Sequence, residues 1–295
     1  MNTSRLRALL LTARPKTLSA AVVPVLVATA LVGFEEGVVK PWISIFAVLS
    51  AIFIQIGTNF VNDAIDFKKG ADTETRLGEA RAAQSGWFTG QAVMAMGLGC
   101  FAIAFALGIP LVMEGGWPIV IVGLLSLLMG YAYTGGPFPL AYVGLGDFFV
   151  ILFFGLIAVG GVYFLHTHTL STGAVIAGLQ VGMLATVLIA INNLRDLDQD
   201  RLVGKKTFAV RIGPRMGRLE VLLLFLLSFG LNLYWLDQGA LFAFVLPLLA
   251  LPLAMKVITT LLRTQASREY NRLLAIAAFV HMLFGVMLSV GFVLQ

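Results

Sequence analysis

The sequence is poor in cysteine and in charged residues. Its one cysteine, Cys100, lies inside an apolar stretch, so no disulfide can form within the chain and a cysteine-based metal site is excluded. We interpret Cys100 as a packing residue. Charged residues make up 12% of the chain and hydrophobic residues 59%, a balance that a water-soluble domain of this length would not tolerate. The scarcity of charge therefore predicts a protein embedded in a lipid bilayer.

Acidic residues are the rarer charged class, with 15 against 20 basic ones, and the net charge of +5 raises the question of a nucleic-acid partner. The basic residues, however, are spread between apolar runs and form no continuous soluble face, so we expect no nucleic-acid partner. Membrane topology explains them better. If the N-terminus is cytoplasmic, every basic residue except Lys40 falls on or near the cytoplasmic side, as the positive-inside rule predicts.

Nine apolar runs divide the chain, each long enough as a helix to cross or nearly cross a hydrocarbon core of about 30 Å. Because lipid offers no hydrogen-bond partner to irregular backbone, we expect each run to be helical. The eighth is the weakest, since Pro247 and Pro252 lie within it. The predicted fold class is all-α, a multi-pass transmembrane bundle of about nine helices in a single membrane-embedded domain over residues 1–295. The runs are 18–34, 42–63, 91–113, 117–134, 147–165, 172–194, 218–236, 241–258 and 273–294.

Two of these spans, the second and the sixth, end in stripes of carboxylate and amide side chains. Offsets of three, four and seven residues in the first stripe, and intervals of four in the second, place the side chains of each stripe on one face of a helix. Polar residues that begin a full turn inside a membrane span are costly and usually functional. The first stripe comprises Asn59, Asn62, Asp63 and Asp66, and the second comprises Asn192, Asp196 and Asp200.

The two stripes also resemble each other, since 130 residues separate Asn62 from Asn192 and Asp66 from Asp196. An internal quasi-repeat is consistent with this spacing. Four spans lie between the stripes, so both emerge on the same side of the membrane and can face a shared space. Facing carboxylates repel without a counter-charge, and hard oxygen ligands suit Mg²⁺ together with the phosphates of a substrate. The sequence therefore predicts Mg²⁺ as cofactor and a diphosphate as substrate.

Basic residues beside the stripes suit the departure of a diphosphate. As an allylic diphosphate ionises, charge grows on the leaving group, and nearby cations stabilise it. The carbocation that remains is open to attack by an aromatic carbon. The same cations also satisfy positive-inside topology, and both interpretations stay open. These residues are Lys68, Lys69, Arg195, Lys205 and Lys206.

A secondary transporter is the alternative from a different functional class. Internal repeats with polar residues near broken helices can coordinate a coupling ion, and this interpretation predicts ion-driven flux without a chemical product. The carboxylates of this chain, however, lie at the inner ends of helices beside basic residues. That position favours a diphosphate at the membrane interface over an ion at the midplane.

Five motifs together resemble the UbiA-type intramembrane prenyltransferases, and the resemblance covers nearly the whole chain. They are Ala13-Arg14-Pro15-Lys16-Thr17-Leu18; Asn62-Asp63-x-x-Asp66-x-x-x-Gly70-x-Asp72 with Arg76; Gln84-Ser85-Gly86; Tyr133 to Tyr142 leading into Gly144-Leu145-Gly146-Asp147; and Asn192-Asn193-x-Arg195-Asp196-x-x-x-Asp200-x-x-x-Gly204-Lys205-x-Thr207. The placing of Gly70 and Asp72 after Asp66 is most similar to the branch that prenylates 1,4-dihydroxy-2-naphthoate in menaquinone synthesis. Branches acting on homogentisate, phenolic acids or haem remain open.

The resemblance implies a nine-helix bundle around a central cavity, with a lateral opening through which the prenyl tail lies in lipid. It implies transfer of a polyprenyl group from an allylic diphosphate to 1,4-dihydroxy-2-naphthoate with loss of CO₂. The products are a demethylmenaquinone-type quinol and diphosphate. A bacterial inner membrane, with the N-terminus and the active-site loops in the cytoplasm, is the implied location. The sequence leaves the prenyl chain length and the oligomeric state open.

The predicted site has three groups of residues, which combine the stripes, their basic neighbours and the family motifs. The catalytic group is Asp66, Asp196, Asp63, Arg195 and Lys205. The metal-binding group is Asn62, Asp66, Asp72, Asn192, Asp196 and Asp200. The substrate-binding group is Lys68, Lys69, Arg76, Tyr133, Tyr142, Asp147, Asn193 and Lys206.

Several aromatic and acidic residues keep two interpretations. Tyr131, Tyr133 and Tyr142 either line the acceptor cavity and shield a cation through their ring faces or anchor the chain at the membrane interface. Asp147 either orients a base or caps the helix that it opens. No residue by itself indicates how the carboxylate of the acceptor is lost.

Other basic residues and the three histidines have mostly structural interpretations. Arg14 and Lys16 either bind an acidic acceptor or mark the cytoplasmic flank of the first span. We interpret His166 and His168 as residues of a surface loop on the outer side. His281, inside the last span, is interpreted as a hydrogen-bonded packing residue.

Overall fold

The computed structural model of the protein describes residues 5–70, 77–78 and 81–295, and within these ranges the chain is helical along most of its length. We number eleven helices in the described residues. They are α1 (Arg5–Ala13), α2 (Ser19–Glu36), α3 (Pro41–Lys68), α4 (Gly90–Gly115), α5 (Trp117–Ala132), α6 (Gly146–Thr167), α7 (Thr172–Arg195), α8 (Leu197–Leu202), α9 (Phe208–Asp237), α10 (Leu241–Arg263) and α11 (Tyr270–Val293).

The nine predicted spans correspond to α2–α7 and α9–α11 of the described chain. Eight of these helices are long and apolar enough to cross a membrane by length and composition. The other, α5, has 16 residues, and at a rise of about 1.5 Å per residue it is about 24 Å long. The prediction of an all-α, multi-pass bundle with about nine helices is therefore confirmed.

The prolines that weakened the eighth prediction do not prevent a helix there. Pro247 falls in a short 3₁₀ turn, Leu246–Ala250, and Pro252 opens the α-helical part that follows. A proline lacks the backbone donor of a regular helix, and a tighter turn accommodates it. In α9 the break comes at Gly213, whose φ of 81° interrupts the helix just before Pro214.

Two short helices were not predicted. Helix α1 precedes the first span and packs against α3, with Ala8 and Thr12 buried. Helix α8 follows α7 after the single residue Asp196. Neither has an apolar run long enough to signal a membrane span, so the pattern used for the nine spans could not detect them.

Helix α7 lies at the centre of the bundle, where it packs against α2, α6, α9 and α11. Its contact with α6 depends on small residues, because the two backbones nearly touch. A Cβ atom placed on Gly155 would lie 2.3 Å from the Gly178 carbonyl oxygen and 2.7 Å from the Gly182 Cα. Close approach through small residues is the usual way in which membrane helices associate. On the α6 side the contact falls in a π-helical segment, Ile151–Ile157.

The histidines differ from one another in their surroundings. His166 is buried in α6, where its Nδ1 accepts the Lys40 backbone N–H at 3.2 Å and its Nε2 lies 3.2 Å from the Ser44 hydroxyl. The prediction of a surface loop residue is therefore wrong for His166, because the end of α6 packs against the start of α3. His168 is exposed, as predicted. His281 is fully buried with its Nδ1 3.4 Å from the Ser19 hydroxyl, which confirms its interpretation as a hydrogen-bonded packing residue.

Candidate active site

A cavity of about 740 Å³ opens between α2, α3, α4, α5, α6 and α7. One end of it is polar and lies at the ends of α3 and α7 where the two stripes emerge. The rest of its wall is mainly apolar, with phenylalanine, leucine, isoleucine and valine side chains. The cavity therefore joins a compartment suited to charged groups to one suited to hydrocarbon. Its polar end is lined by Asn59, Asn62, Asp66, Arg81, Asn192, Asn193 and Lys205.

Asp66 lies in the last helical turns of α3 and lines the polar end of the cavity. Its Oδ2 accepts a hydrogen bond from the Arg81 guanidinium at 2.9 Å, and its Oδ1 accepts one from the Tyr142 hydroxyl at 2.9 Å. Both partners come from loops that fold over the end of α3. Asp66 is 5% exposed, so its contact with Arg81 is a buried, charge-assisted hydrogen bond.

Arg81, like Thr134 and Asn271, contacts the predicted site residues but was absent from the predicted groups. Besides its ion pair with Asp66, it donates to the Asn62 backbone carbonyl at 3.3 Å. It is 7% exposed, and an arginine that is buried is normally paired. The sequence placed it among the cytoplasmic basic residues, which already had a topological explanation. The one feature of the sequence that could have indicated a role in the site was the position of Arg81 in the segment after the first stripe.

Three of the four residues of the first stripe line the cavity. Asn59, Asn62 and Asp66 line the cavity, and the Asn62 side-chain oxygen accepts from the Thr134 hydroxyl at 2.6 Å. Asp63 instead accepts the Ala82 backbone N–H at 2.8 Å and borders a separate small pocket. All four residues lie on one face of the regular helix α3, but the Asp63 carboxylate contacts the returning loop and does not line the cavity. The loop that returns after α3 takes its carboxylate as a backbone acceptor.

Asp196, in the second stripe, is paired with its own neighbour. The Arg195 Nε and Nη2 donate to the two carboxylate oxygens at 2.8 and 2.6 Å. The same guanidinium donates to the side-chain oxygens of Asn192 at 2.8 Å and Asn271 at 2.7 Å. Arg195 is thus engaged on three sides, and it links α7 to α11.

Asp200 and Lys205 form a looser pair beyond the end of α7. The Lys205 ammonium lies 3.5 Å from one Asp200 oxygen, and the other oxygen has no hydrogen-bond partner among the described residues. A turn at Gly204, with φ of 73°, brings Lys205 back so that its N–H donates to the Asp200 carbonyl. Burial raises the pKa of Asp200 to about 6, although Lys205 opposes the shift.

Two lysine side chains lie near the aromatic ring of Tyr142, which contacts Asp66 but is not part of the cavity lining. The Lys69 ammonium is 4.1 Å from the ring centroid and the Lys205 ammonium 5.6 Å, both within cation–π range. Lys69 also donates to the Thr134 carbonyl at 2.8 Å. Burial lowers the pKa of Lys69, an effect that Asp66 opposes and Lys205 adds to. The pKa of Tyr142 is raised, mainly by burial and to a smaller extent by the negative charge of the neighbouring Asp66.

The remaining predicted residues are placed as follows. Tyr133 and Asn193 line the cavity, whereas Tyr131 is exposed and lies outside the lining. Lys68 and Lys206 are exposed, and the Lys206 backbone N–H donates to the Tyr142 carbonyl at 3.1 Å. Asp72 and Arg76 lie outside the described residues.

Asp147 opens α6 but does not cap it through its side chain, so the capping interpretation is wrong. The residue is 6% exposed, and neither carboxylate oxygen has a hydrogen-bond partner among the described residues. It is not part of the cavity lining. Its neighbour Gly146 lies next to the Tyr133 hydroxyl, which is 3.2 Å from a Cβ placed there. Asp147 therefore lies behind the cavity wall that Tyr133 forms.

The counter-charge that the facing carboxylates require comes partly from the chain itself, through Arg81 and Arg195. Within the described ranges, no three Asp, Glu, His or Cys side chains converge into a ready-formed metal position. The chemistry of the donors nevertheless fits a hard divalent cation, because amide and carboxylate oxygens dominate and one buried Asp200 oxygen is unpaired. A metal bound here would have to share Asp66 and Asp196 with their arginines or displace them.

Comparisons with known proteins agree with this geometry. The UbiA prenyltransferase family matches residues 21–286. A 1,4-dihydroxy-2-naphthoate octaprenyltransferase from Haemophilus influenzae is 34% identical over 298 residues, covering 95% of this chain and 94% of the relative. One from Escherichia coli K12 is 36% identical over 262 residues, covering 83% of each chain.

Solved structures show the same fold at low sequence identity. The apo structure of a UbiA homolog from Aeropyrum pernix K1 has a TM-score of 0.70 and 14% identity, covering 94% of this chain and 97% of the other. A UbiA homolog from Archaeoglobus fulgidus bound to GPP and Mg²⁺ has a TM-score of 0.64 and 14% identity, covering 97% and 99%. The family match, the two bacterial relatives and the shared fold establish that this chain belongs to the UbiA prenyltransferase family.

Proposed function

We propose that the protein transfers a polyprenyl group from an allylic diphosphate to 1,4-dihydroxy-2-naphthoate, with release of CO₂ and diphosphate. The observation that carries this proposal is the continuity of the cavity. Its polar end holds cations and oxygen donors that suit a diphosphate, and its long apolar wall suits a prenyl chain. The acceptor is taken from the bacterial relatives, whose names specify 1,4-dihydroxy-2-naphthoate.

The metal in this proposal is Mg²⁺, which is present in the A. fulgidus homolog together with GPP. Asn62, Asp66, Asn192, Asp196 and Asp200 are the described residues that would hold it, with Asp72 as a further ligand that the family resemblance implies. When bound, the cation neutralises charge on the departing diphosphate. Divalent-metal use is a feature of UbiA homologs, and its assignment to these residues rests on their oxygen donors.

Basic side chains of the protein also stabilise the departing diphosphate at the polar end. Arg81 and Lys205 line the cavity, and Lys69 lies beside them over Tyr142. As the bond between the allylic carbon and oxygen breaks, the electron pair stays on the diphosphate. Fixed cations in a partly dehydrated site stabilise this charge more than water does. Arg81 is the best placed of the three, because it already contacts a carboxylate at the distance that it would use for a phosphate oxygen.

The allylic cation is then attacked by the ring carbon that carries the acceptor's carboxylate. A new carbon–carbon bond forms, the bond to the carboxyl carbon breaks, and its electron pair restores the aromatic ring. No net proton transfer is required when the acceptor enters as a carboxylate. Tyr133 and Asn193 line the cavity next to the reacting end, and Arg14 there can receive an acidic acceptor.

The alternatives left open by the sequence now have different standing. The secondary transporter is not favoured, because the family and its curated relatives are prenyltransferases. Another aromatic acceptor, such as homogentisate or a phenolic acid, would use the same diphosphate end. It is not favoured either, because the relatives that are 34% and 36% identical to this chain are named for 1,4-dihydroxy-2-naphthoate.

The test is an assay on the purified protein in detergent with Mg²⁺, a polyprenyl diphosphate and 1,4-dihydroxy-2-naphthoate. Mass spectrometry should detect a prenylated ring that has lost CO₂. Excess chelator should stop the reaction, as should Asp66→Ala or Asp196→Ala, whereas the exposed Asp198→Ala serves as the matched control. Turnover with another aromatic acceptor alone would reject the acceptor and keep the mechanism. Wild-type rates for Asp66→Ala or in chelator would reject the metal assignment.

A further inference from the structure

The apolar part of the cavity extends most of the way along the bundle. It runs from the polar end between α4, α5 and α6 to the opposite ends of these helices. There it is bordered by Val112, Met113, Ile119 and Leu165. A chain that starts at the polar end can therefore remain inside the protein over much of the membrane thickness.

Four glycines line the cavity, and one of them, Gly130, is packed against Thr58 and Phe101. The other three lie one on each helix of the apolar part: Gly108 on α4, Gly123 on α5 and Gly161 on α6. A Cβ atom placed on any of them would meet no atom within 4 Å. They differ in this respect from Gly57 and Gly155, where a Cβ would come within 3 Å of neighbouring atoms. Glycine weakens a helix interior relative to alanine, and here close helix packing does not explain it.

Gly108 and Gly123 lie at the same depth. Phe101 of α4 and Gly130 of α5 are level, since the Phe101 Cζ is 3.1 Å from a Cβ placed on Gly130. The two helices run in opposite directions, and each glycine lies seven residues further toward the outer end. Both glycines therefore lie about 10 Å from the level of Phe101 and Gly130, at a rise of about 1.5 Å per residue.

Gly161 lies at nearly the same depth on α6. Leu165 is level with Gly115, because its Cδ2 is 2.9 Å from a Cβ placed on that glycine. Gly161 is four residues before Leu165, and Gly108 is seven residues before Gly115. The difference of three residues amounts to about 4.5 Å, which is less than one helical turn of about 5.4 Å. The three glycines thus surround the cavity within one turn.

The distance of this level from the polar end sets the length of chain that reaches it. Thr134 hydrogen-bonds to Asn62, so the end of α5 is level with the polar residues. Gly123 precedes Tyr133 by ten residues, or about 15 Å at a rise of about 1.5 Å per residue. An extended isoprene unit adds about 5 Å, because its four chain bonds of about 1.5 Å follow a zigzag. The level is therefore reached near the third isoprene unit.

We propose that Gly108, Gly123 and Gly161 keep a passage open at this depth and thereby determine which prenyl diphosphates the enzyme uses. Chains of two units end before the passage, and longer chains continue through it. This inference rests on the proposed function and adds the residues that set chain-length selectivity. A leucine side chain at any of the three positions would occupy the space that a longer chain needs.

The experiment compares Gly108→Leu and Gly123→Leu with wild type on geranyl and octaprenyl diphosphate, in lipid nanodiscs with 1,4-dihydroxy-2-naphthoate. Because overfilling a packed apolar space is costly, kcat/KM for octaprenyl diphosphate should fall by roughly tenfold or more. The value for geranyl diphosphate should stay within about twofold, which also establishes that the variant is folded. The matched control is Gly99→Leu on α4, where the glycine is exposed and outside the cavity lining.

Equal effects on the two substrates, or an unchanged octaprenyl rate in both variants, would overturn the inference. The chain would then leave the bundle laterally before it reaches this depth. Binding of the same two diphosphates can also be measured with Mg²⁺ and without an acceptor. In both variants, the dissociation constant for octaprenyl diphosphate should rise relative to that for geranyl diphosphate. If the proposed acceptor is wrong, wild type will show no turnover, but the ratio of the two dissociation constants will still change in the variants. Failure of the proposed function can therefore be distinguished from failure of this inference.

Discussion

At the scale of single residues, two buried arginines distinguish this site from an array of carboxylates awaiting a metal. Arg81 contacts Asp66, and Arg195 contacts both oxygens of Asp196. Their surroundings differ, however. Arg195 is also tied to Asn192 and Asn271, whereas Arg81 borders the cavity. We therefore expect Arg195 to hold α7 and α11 in position and Arg81 to contact the diphosphate.

Arg81→Ala tests this distinction. Hydrogen bonds to charged groups contribute about 1.5–3 kcal/mol, so kcat/KM for the prenyl diphosphate should fall roughly 10- to 100-fold. The apparent affinity for Mg²⁺ in the absence of diphosphate should rise or stay unchanged, since a cation that competes for Asp66 is removed. Arg215→Ala, at an exposed arginine, should leave both quantities unchanged. A loss of Mg²⁺ affinity together with a lower melting temperature would instead assign Arg81 a structural role.

At the scale of helices, the contact between α6 and α7 positions both halves of the site. Helix α6 contributes Phe149, Phe153 and Phe154 to the cavity wall, and α7 contributes Asn192. The π-helical segment of α6, Ile151–Ile157, contains two of these aromatic residues, Phe153 and Phe154, together with the Gly155 contact. Such segments are often found at functional sites. Any change in the distance between the two backbones should therefore alter the cavity.

Gly155→Ala should destabilise the protein although it adds one methyl group. The new Cβ would meet the backbone of α7, at Gly178 and Gly182, and no side-chain rotation can relieve that overlap. Overpacking of this kind costs about 1–3 kcal/mol, which denaturant titration in detergent can measure as the free energy of unfolding. Gly99→Ala, where the added Cβ meets nothing within 4 Å, should change it by less than about 0.5 kcal/mol. Equal stability of the two variants would contradict the close contact.

At the scale of the whole molecule, the distribution of charge predicts its orientation. The site and most basic residues lie at one end of the bundle, and Lys40 and Glu114 lie at the other. Under the positive-inside rule the site should face the cytoplasm. A substrate that carries a diphosphate would then meet it on that side.

Cysteine labelling measures this orientation. In a Cys100→Ala background, Val38→Cys and Arg268→Cys introduce one thiol at each end, and both positions are exposed. A membrane-impermeant maleimide added to spheroplasts should modify the cysteine at position 38 and leave that at position 268 unmodified. Inverted membrane vesicles should give the opposite pattern. The reverse result in both preparations would place the N-terminus outside.

Some features of this protein could be predicted from the local pattern of its sequence. Each apolar run became a helix because, in a bilayer, the backbone has no other way to pair its polar groups. The two polar stripes were recognisable because helical periodicity depends on sequence spacing alone. The description of 1–295 as one domain stays a prediction.

Other features depended on contacts between residues far apart in the chain. Arg81 reached Asp66, Asp63 turned to the Ala82 backbone, and His166 was buried against the start of α3. Spacing along one helix says which side chains share a face, but it does not say what packs against that face. The loops and neighbouring helices that decide this are brought there by tertiary packing, and so were the cavity and the glycines that line it.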